Sequence, residues 1–498
     1  MSVKNILDQA DPSILLRAGK IHFIGIGGIG ISAIARMMLL EGKVVIGSDL
    51  SVSLVTQELE KAGAKIYIGQ SLDFIEAETD LIIYTVAITE FDPKLFSEMK
   101  KLSILSLSYP ETLNIISKEK YTIAVSGTHG KTTVTAMIAK VMIEVGLDPT
   151  VIVGSLISNP APVESSSPFN GVPNHSEDVP LGRGRKFESN FVMGKSKYLV
   201  VEADEYKKSF HNLEPSILVI NNIDLDHLDF YKDLADIQNS FLHLAKKLPA
   251  DGFLICNTKL PNLQPIIKNV SCKIVDSGVL EFKEKLLIPG EHNRQNAKTA
   301  FAVAKVLGVD LKKAEKSLVG FSGTWRRFEY KGKTKSGALV YDDYAHNPQK
   351  VRAALQGTRE LYPDKRIVVV FQPHLFSRTK LLLNEFAMAF SDADEVILAP
   401  IFPAREVFDP TISSDILAEK INSTSPASRL STSPHLMRGG DSVPSLPLVK
   451  GRVGVRLCSS FKTFSDIETY LKSSLGPNDL LITMGAGEQY KIGEDLLV

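Results

Sequence analysis

The sequence predicts an α/β protein made of three successive sheet domains. Three observations predict it. Short apolar runs with the length of buried strands recur along the chain, and stretches with helical spacing separate them. Two of the strand-to-helix junctions are glycine-rich turns suited to phosphate, one at Gly25–Gly30 and one at Gly127–Lys131. The chain of 498 residues is too long for one hydrophobic core.

The first domain opens on Ile21-His-Phe-Ile-Gly-Ile-Gly-Gly-Ile-Gly30, a strand running into Gly25-x-Gly27-x-x-Gly30. Ser32–Leu40 reads as a helix, and a second strand from Lys43 to Gly47 ends at Ser48-Asp49. Strand, glycines, helix, strand and acid together form a nucleotide fingerprint: glycines admit a pyrophosphate, and the acid meets a ribose. Any diphosphate-linked nucleoside offers those groups. Strands at 65–68 and 81–85 follow, and the domain closes near Tyr109-Pro110. The apolar Ile21–Leu40 stretch has the length of a membrane span, but its four glycines, His22 and Arg36 belong to the fingerprint.

The second domain is organised around Val125-Ser-Gly-Thr-His-Gly-Lys-Thr-Thr133. Four residues from Thr122 to Val125 form a strand, and Val134, Met137, Ile138, Val141 and Met142 form the stripe of a helix. The glycines Gly127 and Gly130 let the amides of Thr128, His129 and Thr133 approach phosphate; Lys131 reaches the outer phosphates, and the Thr132 hydroxyl suits Mg²⁺. The loop is shorter than the standard pattern, with Val125 where that pattern has its first glycine. Lys197–Glu205 is an apolar strand delivering Glu202, Asp204 and Glu205, any of which can complete a Mg²⁺ shell. Ser216–Asp229 repeats the form, with His227 in an acidic cluster as a second-metal or phosphate-positioning candidate. Asn293 and Asn296 lie one turn apart on the helix that opens after Ile288-Pro-Gly.

Arg326 and Arg327, beside the only Trp, lead into the third domain and fit either a phosphate clamp or an interdomain salt bridge. Its strands are Ala338–Tyr341, Arg366–Phe371, Glu395–Leu398 and Asp479–Met484; the first two end at Asp342-Asp343-Tyr344-Ala345-His346 and at Gln372-Pro-His374-Leu-Phe-Ser-Arg378. Two foreign stretches interrupt the pattern, 159–189 and 424–456. Both are rich in Pro, Ser and Gly, and both end in a Pro-Leu-x-Arg/Lys-Gly-Arg run, so they are expected to be disordered insertions.

Composition narrows the function. Lys+Arg equals Asp+Glu at 57 each, and nothing in the charge pattern suggests a nucleic-acid surface or a polybasic membrane patch. Cys256, Cys272 and Cys458 form no C-x-x-C pair, which argues against zinc and disulfides and fits a reducing cytoplasm. Met1–Lys20 is too polar for a signal peptide. A nicotinamide-dependent dehydrogenase would use the first fingerprint but has no use for the Lys131 loop.

Jointly and in order, these motifs resemble the ATP-dependent Mur ligases of peptidoglycan synthesis: Gly25–Gly30, Gly127–Thr132, Glu202–Glu205, Asp226-His227, Glu291-His-Asn293, Arg326-Arg327, Asp342–His346, Gln372–His374 and Met484-Gly-Ala-Gly487. The resemblance implies a Rossmann-like domain for a UDP-sugar (1–117), a central P-loop-type ATPase domain (118–322) and a C-terminal Rossmann-like domain (323–498) that binds an amino acid and closes over ATP. It implies ATP and Mg²⁺ as cofactors and UDP-N-acetylmuramate and L-alanine as substrates, joined through an acyl phosphate by a cytoplasmic monomer or weak homodimer. Lys131, Glu205 and His227 would then be catalytic, and Thr132, Glu205 and His227 would hold metal. Gly127 to Thr133, Asn293, Arg327 and Asp343 would hold ATP, and Gly25, Gly27, Gly28, Gly30 and Asp49 the UDP-sugar. Tyr344, His346 and Arg378 would hold the amino acid. Three positions depart from the family pattern: Tyr206-Lys207-Lys208 where Ser-Asp or Tyr-Asp is common, Asn347 where His is usual, and Leu375 where many alanine-adding members carry Arg. Arg378 is therefore expected to hold the amino-acid carboxylate nearly alone, with help from His346.

Overall fold

A computed structural model describes residues 13–157, 189–227, 230–404, 406–424 and 457–498. Three sheets account for the strands. The first contains β1 (Lys20–Ile24), β2 (Val44–Asp49), β3 (Lys65–Ile68), β4 (Leu81–Tyr84) and β5 (Leu105–Ser108), all parallel, in the order β3-β2-β1-β4-β5. The chain winds outward from β1 to β3 and then crosses to β4. The order therefore reverses beside β1, where the Gly25 turn leaves the sheet, and ligands of open α/β sheets bind at such a point.

The second sheet contains β6 (Tyr121–Ser126), β7 (Thr150–Ile157), β8 (Ser189–Val192), β9 (Tyr198–Glu202), β10 (Ile217–Ile220), β11 (Phe253–Cys256) and β12 (Lys273–Asp276). Its order is β12-β11-β10-β6-β9-β7-β8, parallel except for the β7–β8 pair. β6 lies between β9 and β10, so the carboxyl ends of these three strands stand side by side. Each reads as a continuous apolar run because both faces are covered, and Ile123, Val200 and Leu218 are fully buried.

The third sheet contains β13 (Glu329–Lys333), β14 (Leu339–Asp343), β15 (Arg366–Gln372), β16 (Glu395–Leu398), β17 (Leu457–Ser460) and β18 (Asp479–Gly485), in the order β13-β14-β18-β15-β16-β17. Only β13 runs antiparallel. The expected strand at 338–341 runs two residues further, so Asp342 and Asp343 are its last members.

The first two sheets share one compact unit, which also holds Asn293–Thr324. A single apolar cluster explains this: it runs from Ile21 and Phe23 of β1 through Leu113 and Ile116 of the helix Tyr109–Lys118 to Leu199 and Val201 of β9. Leu287–His292 and Trp325–Val498 form the second compact unit. Of the two expected insertions, 159–188 and 425–456 lie outside the described residues. Their inner limits need correction: Ser189 begins β8, and Thr424 ends the helix Ser414–Thr424. Asn190 has an amide to place and Ile421 an apolar side chain to bury, and both are buried.

Candidate functional site

The loop after β6 is shaped by glycines that no other residue can replace. Gly130 caps the helix Lys131–Glu144 with φ 83°, and a Cβ there would lie 2.5 Å from Asn221 Nδ2 and 2.6 Å from Asn296 Oδ1. Left-handed backbone and a close neighbour together require glycine. The loop is pinned to the end of β10: the Thr128 amide donates to the Asn222 carbonyl at 3.0 Å, and the His129 amide to Asn222 Oδ1 at 2.7 Å. Asn221 Nδ2 donates to the His129 carbonyl at 3.0 Å and to Asn296 at 2.9 Å, and Asn296 donates in turn to Asn293 Oδ1 at 3.2 Å. Asn293 and Asn296 thus join the loop rather than merely cap their helix.

Lys131 Nζ donates to the Gly127 carbonyl at 2.7 Å and pairs with Glu205 at 2.7 Å. Burial alone would lower its pKa, but the charges of Glu205, Asp204 and Glu202 hold the ammonium above its ordinary value. The Thr132 hydroxyl donates to Glu202 at 3.0 Å, and Glu202 also accepts the Gly154 amide at 2.7 Å. So the structure sets Thr132 beside Glu202, while Glu205 stands with Lys131 and with His227, whose Nε2 lies 3.7 Å away. Asp204, Glu205 and His227 each bring a ligand atom within 4.8 Å of the others. Two carboxylates beside a phosphate loop fit Mg²⁺, which prefers oxygen ligands and keeps places for phosphate and water. His227 holds φ 53°, and Lys207 and Lys208, just past Glu205, hold φ 51° and 59°. Strained backbone of this kind gathers at working sites.

At the end of β1, the Gly27 amide donates to Asp49 Oδ2 at 2.8 Å, so the fingerprint's acid closes the fingerprint's own turn. Gly28 caps the helix Ile29–Leu40, and a Cβ on Gly30 would lie 2.7 Å from the ring of Tyr109. Asn190 of β8 donates to the Ile29 carbonyl and, at 3.0 Å, to Ser32 Oγ. Neither Tyr109 nor Asn190 carries a motif, and only the packing of the two sheets brings them to this turn.

In the second unit the paired arginines separate. Arg326 is buried; its Nε donates to Asp342 at 2.9 Å, and its other nitrogens reach the carbonyls of Gly487 at 2.9 Å and Gly485 at 2.8 Å. It ties β14 to the end of β18. Arg327 instead lies over the Tyr344 ring at 5.1 Å. Asp343 accepts the Phe328 amide at 2.8 Å and the Ala345 amide at 2.7 Å. Burial pushes its pKa up to about 6, against the pull of Arg327 and these amides. His346 Nδ1 donates to the Tyr344 carbonyl at 2.8 Å, which fixes the neutral tautomer with Nε2 as acceptor. Burial, then Lys350 and Arg378, hold that ring well below its usual pKa. Arg378 lies in the first turn of the helix Phe376–Leu381 and donates to His374 Nδ1 at 3.2 Å. Burial and Arg378 bring His374 down to about 4, and its ring is 6.0 Å from that of His346. Tyr344, His346 and Arg378 therefore share one neighbourhood. Leu375, where a second cation is absent, holds φ 70°, with its amide on the Phe402 carbonyl at 2.9 Å.

Family profiles match along the chain: Mur ligase family, catalytic domain, over residues 20–121; Mur ligase middle domain over 125–286; and Mur ligase, glutamate ligase domain, over 326–487. A UDP-N-acetylmuramate–L-alanine ligase of Clostridium kluyveri is 38% identical over 95% of this chain and 97% of its own length. The protein of the same name from Clostridium novyi is 38% identical over 96% and 97%. Among solved structures, a UDP-N-acetylmuramate-alanine ligase from Thermotoga maritima is similar with a TM-score of 0.71 at 24% identity, covering 96% of this chain and 98% of that one. A murein peptide ligase from Psychrobacter arcticus gives 0.61 at 22% identity, covering 96% and 98%. Among the described residues no helix is long and apolar enough to cross a membrane.

Proposed function

This chain belongs to the Mur ligase family, and from that premise we infer that it joins L-alanine to the carboxylate of UDP-N-acetylmuramate, converting ATP to ADP and phosphate. The observation that carries this reading is the meeting of Lys131, Thr132, Glu202, Glu205 and His227 at neighbouring strand ends, in a chain whose curated relatives bear that activity in their names. The sugar's carboxylate attacks the γ-phosphorus, ADP leaves, and the alanine amine then displaces phosphate from the acyl phosphate.

Phosphoryl transfer asks the protein for positioning and for neutralising phosphate charge rather than for covalent chemistry. We assign the amides of Gly130, Lys131, Thr132 and Thr133 to the phosphates, because those of Thr128 and His129, expected to approach phosphate, are instead held by Asn222, and Lys131 to the charge that develops on the transferring group. Asp204, Glu205 and His227, with Thr132 and Glu202 beside them, are our candidates to hold Mg²⁺. When bound, Mg²⁺ neutralises phosphate oxygens and orients them. Asn293, Arg327 and Asp343 are assigned to ATP. Gly25, Gly27, Gly28, Gly30 and Asp49 are assigned to the UDP group, which the free amides at the start of the helix Ile29–Leu40 favour. Tyr344, His346 and Arg378 are assigned to alanine: a guanidinium offers a carboxylate two parallel donors, and the neutral His346 imidazole, expected to help with the carboxylate, has Nε2 as an acceptor and so suits the amine instead. We take the domain limits as 1–117, 118–322 and 323–498, and the working form as a cytoplasmic monomer or weak homodimer.

The test is phosphate release with UDP-N-acetylmuramate and ATP across a panel of amino acids and murein tripeptide. L-alanine should give the highest kcat/KM. Faster ligation of tripeptide, or release that ignores the sugar nucleotide, would overturn the reading.

A further inference from the structure

The Tyr206-Lys207-Lys208 segment has no role in the assignments above, yet it occupies a strained and central position. Lys207 and Lys208 are consecutive non-glycine residues in left-handed backbone, with φ, ψ of 51°, 26° and 59°, 24°. Such pairs persist only where surrounding contacts fix them. Here the Lys208 amide donates to the Glu205 carbonyl at 3.0 Å, and the Tyr206 ring lies 4.8 Å from that of His227. The backbone so held sends the Lys207 ammonium to the carboxylate of Glu90.

Glu90 lies on the short helix Ile88–Phe91, just beyond the carboxyl end of β4. That connection flanks the fingerprint turn: the Thr85 amide donates to the Ile24 carbonyl at 3.0 Å, and a Cβ on Gly25 would lie 2.5 Å from Thr85 Cγ2. Lys207 thus spans from the Asp204–Glu205–His227 group to the edge of the sugar-nucleotide turn. On the function proposed above, on which this inference rests, a substrate with its diphosphate at one end and its reacting carboxylate at the other crosses this span. The ammonium already holds a carboxylate there. The side chains of Lys207 and Glu90 are 30% and 54% exposed, so that ion pair is readily exchanged.

We propose that Lys207 is a substrate-specificity residue whose ammonium receives the carboxylate of the sugar's lactyl group in exchange for that of Glu90, which competes for it in the free protein. A compact point charge on a flexible stem suits that exchange. Lys207 would then separate a carboxylated sugar nucleotide from its uncharged counterpart.

Calorimetric titration of the full chain with UDP-N-acetylmuramate, UDP-N-acetylglucosamine and ADP tests this, because the second sugar lacks the carboxyl-bearing ether. Lys207→Ala should weaken binding of the first roughly tenfold or more, the usual worth of a charged hydrogen bond. It should leave the Kd values for UDP-N-acetylglucosamine and ADP unchanged. Lys207→Arg should restore most of the loss, and Glu90→Gln should tighten UDP-N-acetylmuramate by removing its competitor. Equal weakening of both sugar nucleotides, no weakening of either, or looser binding in Glu90→Gln would overturn the assignment. A wild-type chain that binds neither sugar nucleotide would overturn the proposed function, and the role of Lys207 with it.

Discussion

Removing the Lys131 side chain separates what the phosphate loop does for stability from what it does for rate. Its ammonium bonds the Gly127 carbonyl and pairs with Glu205, whose side chain is only 3% exposed. Without it, the nearest group able to carry positive charge is His227, 3.7 Å from Glu205. A buried carboxylate stripped of its partner costs about 3–5 kcal/mol. At about 1.5 °C per kcal/mol for a compact unit of roughly 300 residues, Lys131→Ala should melt about 5–8 °C lower. Adding Glu205→Gln removes the stranded charge and should recover most of that loss. Turnover should not follow. Lys131 is assigned to charge that builds only as phosphoryl transfer proceeds, so its loss costs about a thousandfold or more. The double variant should therefore be stable and inactive. Melting curves and phosphate release on wild type, both single variants and the double variant read this out. A double variant as unstable as Lys131→Ala, or a Lys131→Ala protein near full rate, refutes the reasoning.

Arg378→Ala should raise the alanine KM tenfold or more, roughly one charge-assisted contact, while the KM values for ATP and UDP-N-acetylmuramate stay within about twofold; unaltered alanine saturation would remove Arg378 from the site. The two neighbouring arginines should behave oppositely. Arg326→Ala strands the buried Asp342 and should cost about 3–5 kcal/mol in chemical unfolding, whereas Arg327→Ala should barely move stability but raise the ATP KM. Asp343 supplies a pH signature. Its pKa, raised to about 6 in the fold from 3.8, means the unfolded chain gives up this proton first, so stability falls as pH rises from about 4 to 6 and levels off above. The fall is at most about 3 kcal/mol by that shift, and it should vanish in Asp343→Asn; an identical pH profile in the variant would contradict the assigned burial.

What was legible in the sequence was whatever a strand end displays locally. The Gly25 and Gly127 turns, the Glu202–Glu205 run and His227 are written as apolar runs breaking into glycine or acid, and the sheets place them at carboxyl ends as that pattern expects. Pairings made across strands were not legible. Glu202, Asp204 and Glu205 are equivalent as text; the pleat sends Glu202 toward Thr132 and Gly154, while the bend after β9 turns Glu205 to Lys131. Arg326 and Arg327 are likewise identical as text, and only the Arg326 side chain, which is buried, meets Asp342 and two carbonyls. Tyr109 and Asn190 gave no signal, because their roles arise from one sheet packing on another. The same packing merges the first two sheets into one compact unit, which no boundary in composition marks.

The β7–β8 pair bears on how this protein can be engineered. Ile157 and Ser189 are antiparallel partners, so the chain leaves the second sheet and re-enters it at facing positions. Any segment joining those two ends closes a loop whose entropic cost grows only slowly with its length. One residue beyond the re-entry, Asn190 grips the first turn of the helix that follows the glycine turn of the sugar-nucleotide fingerprint. The hairpin is therefore a splice port: a foreign domain grafted there needs no new chain closure, and it is mechanically linked, through one amide, to the turn assigned to the UDP-sugar.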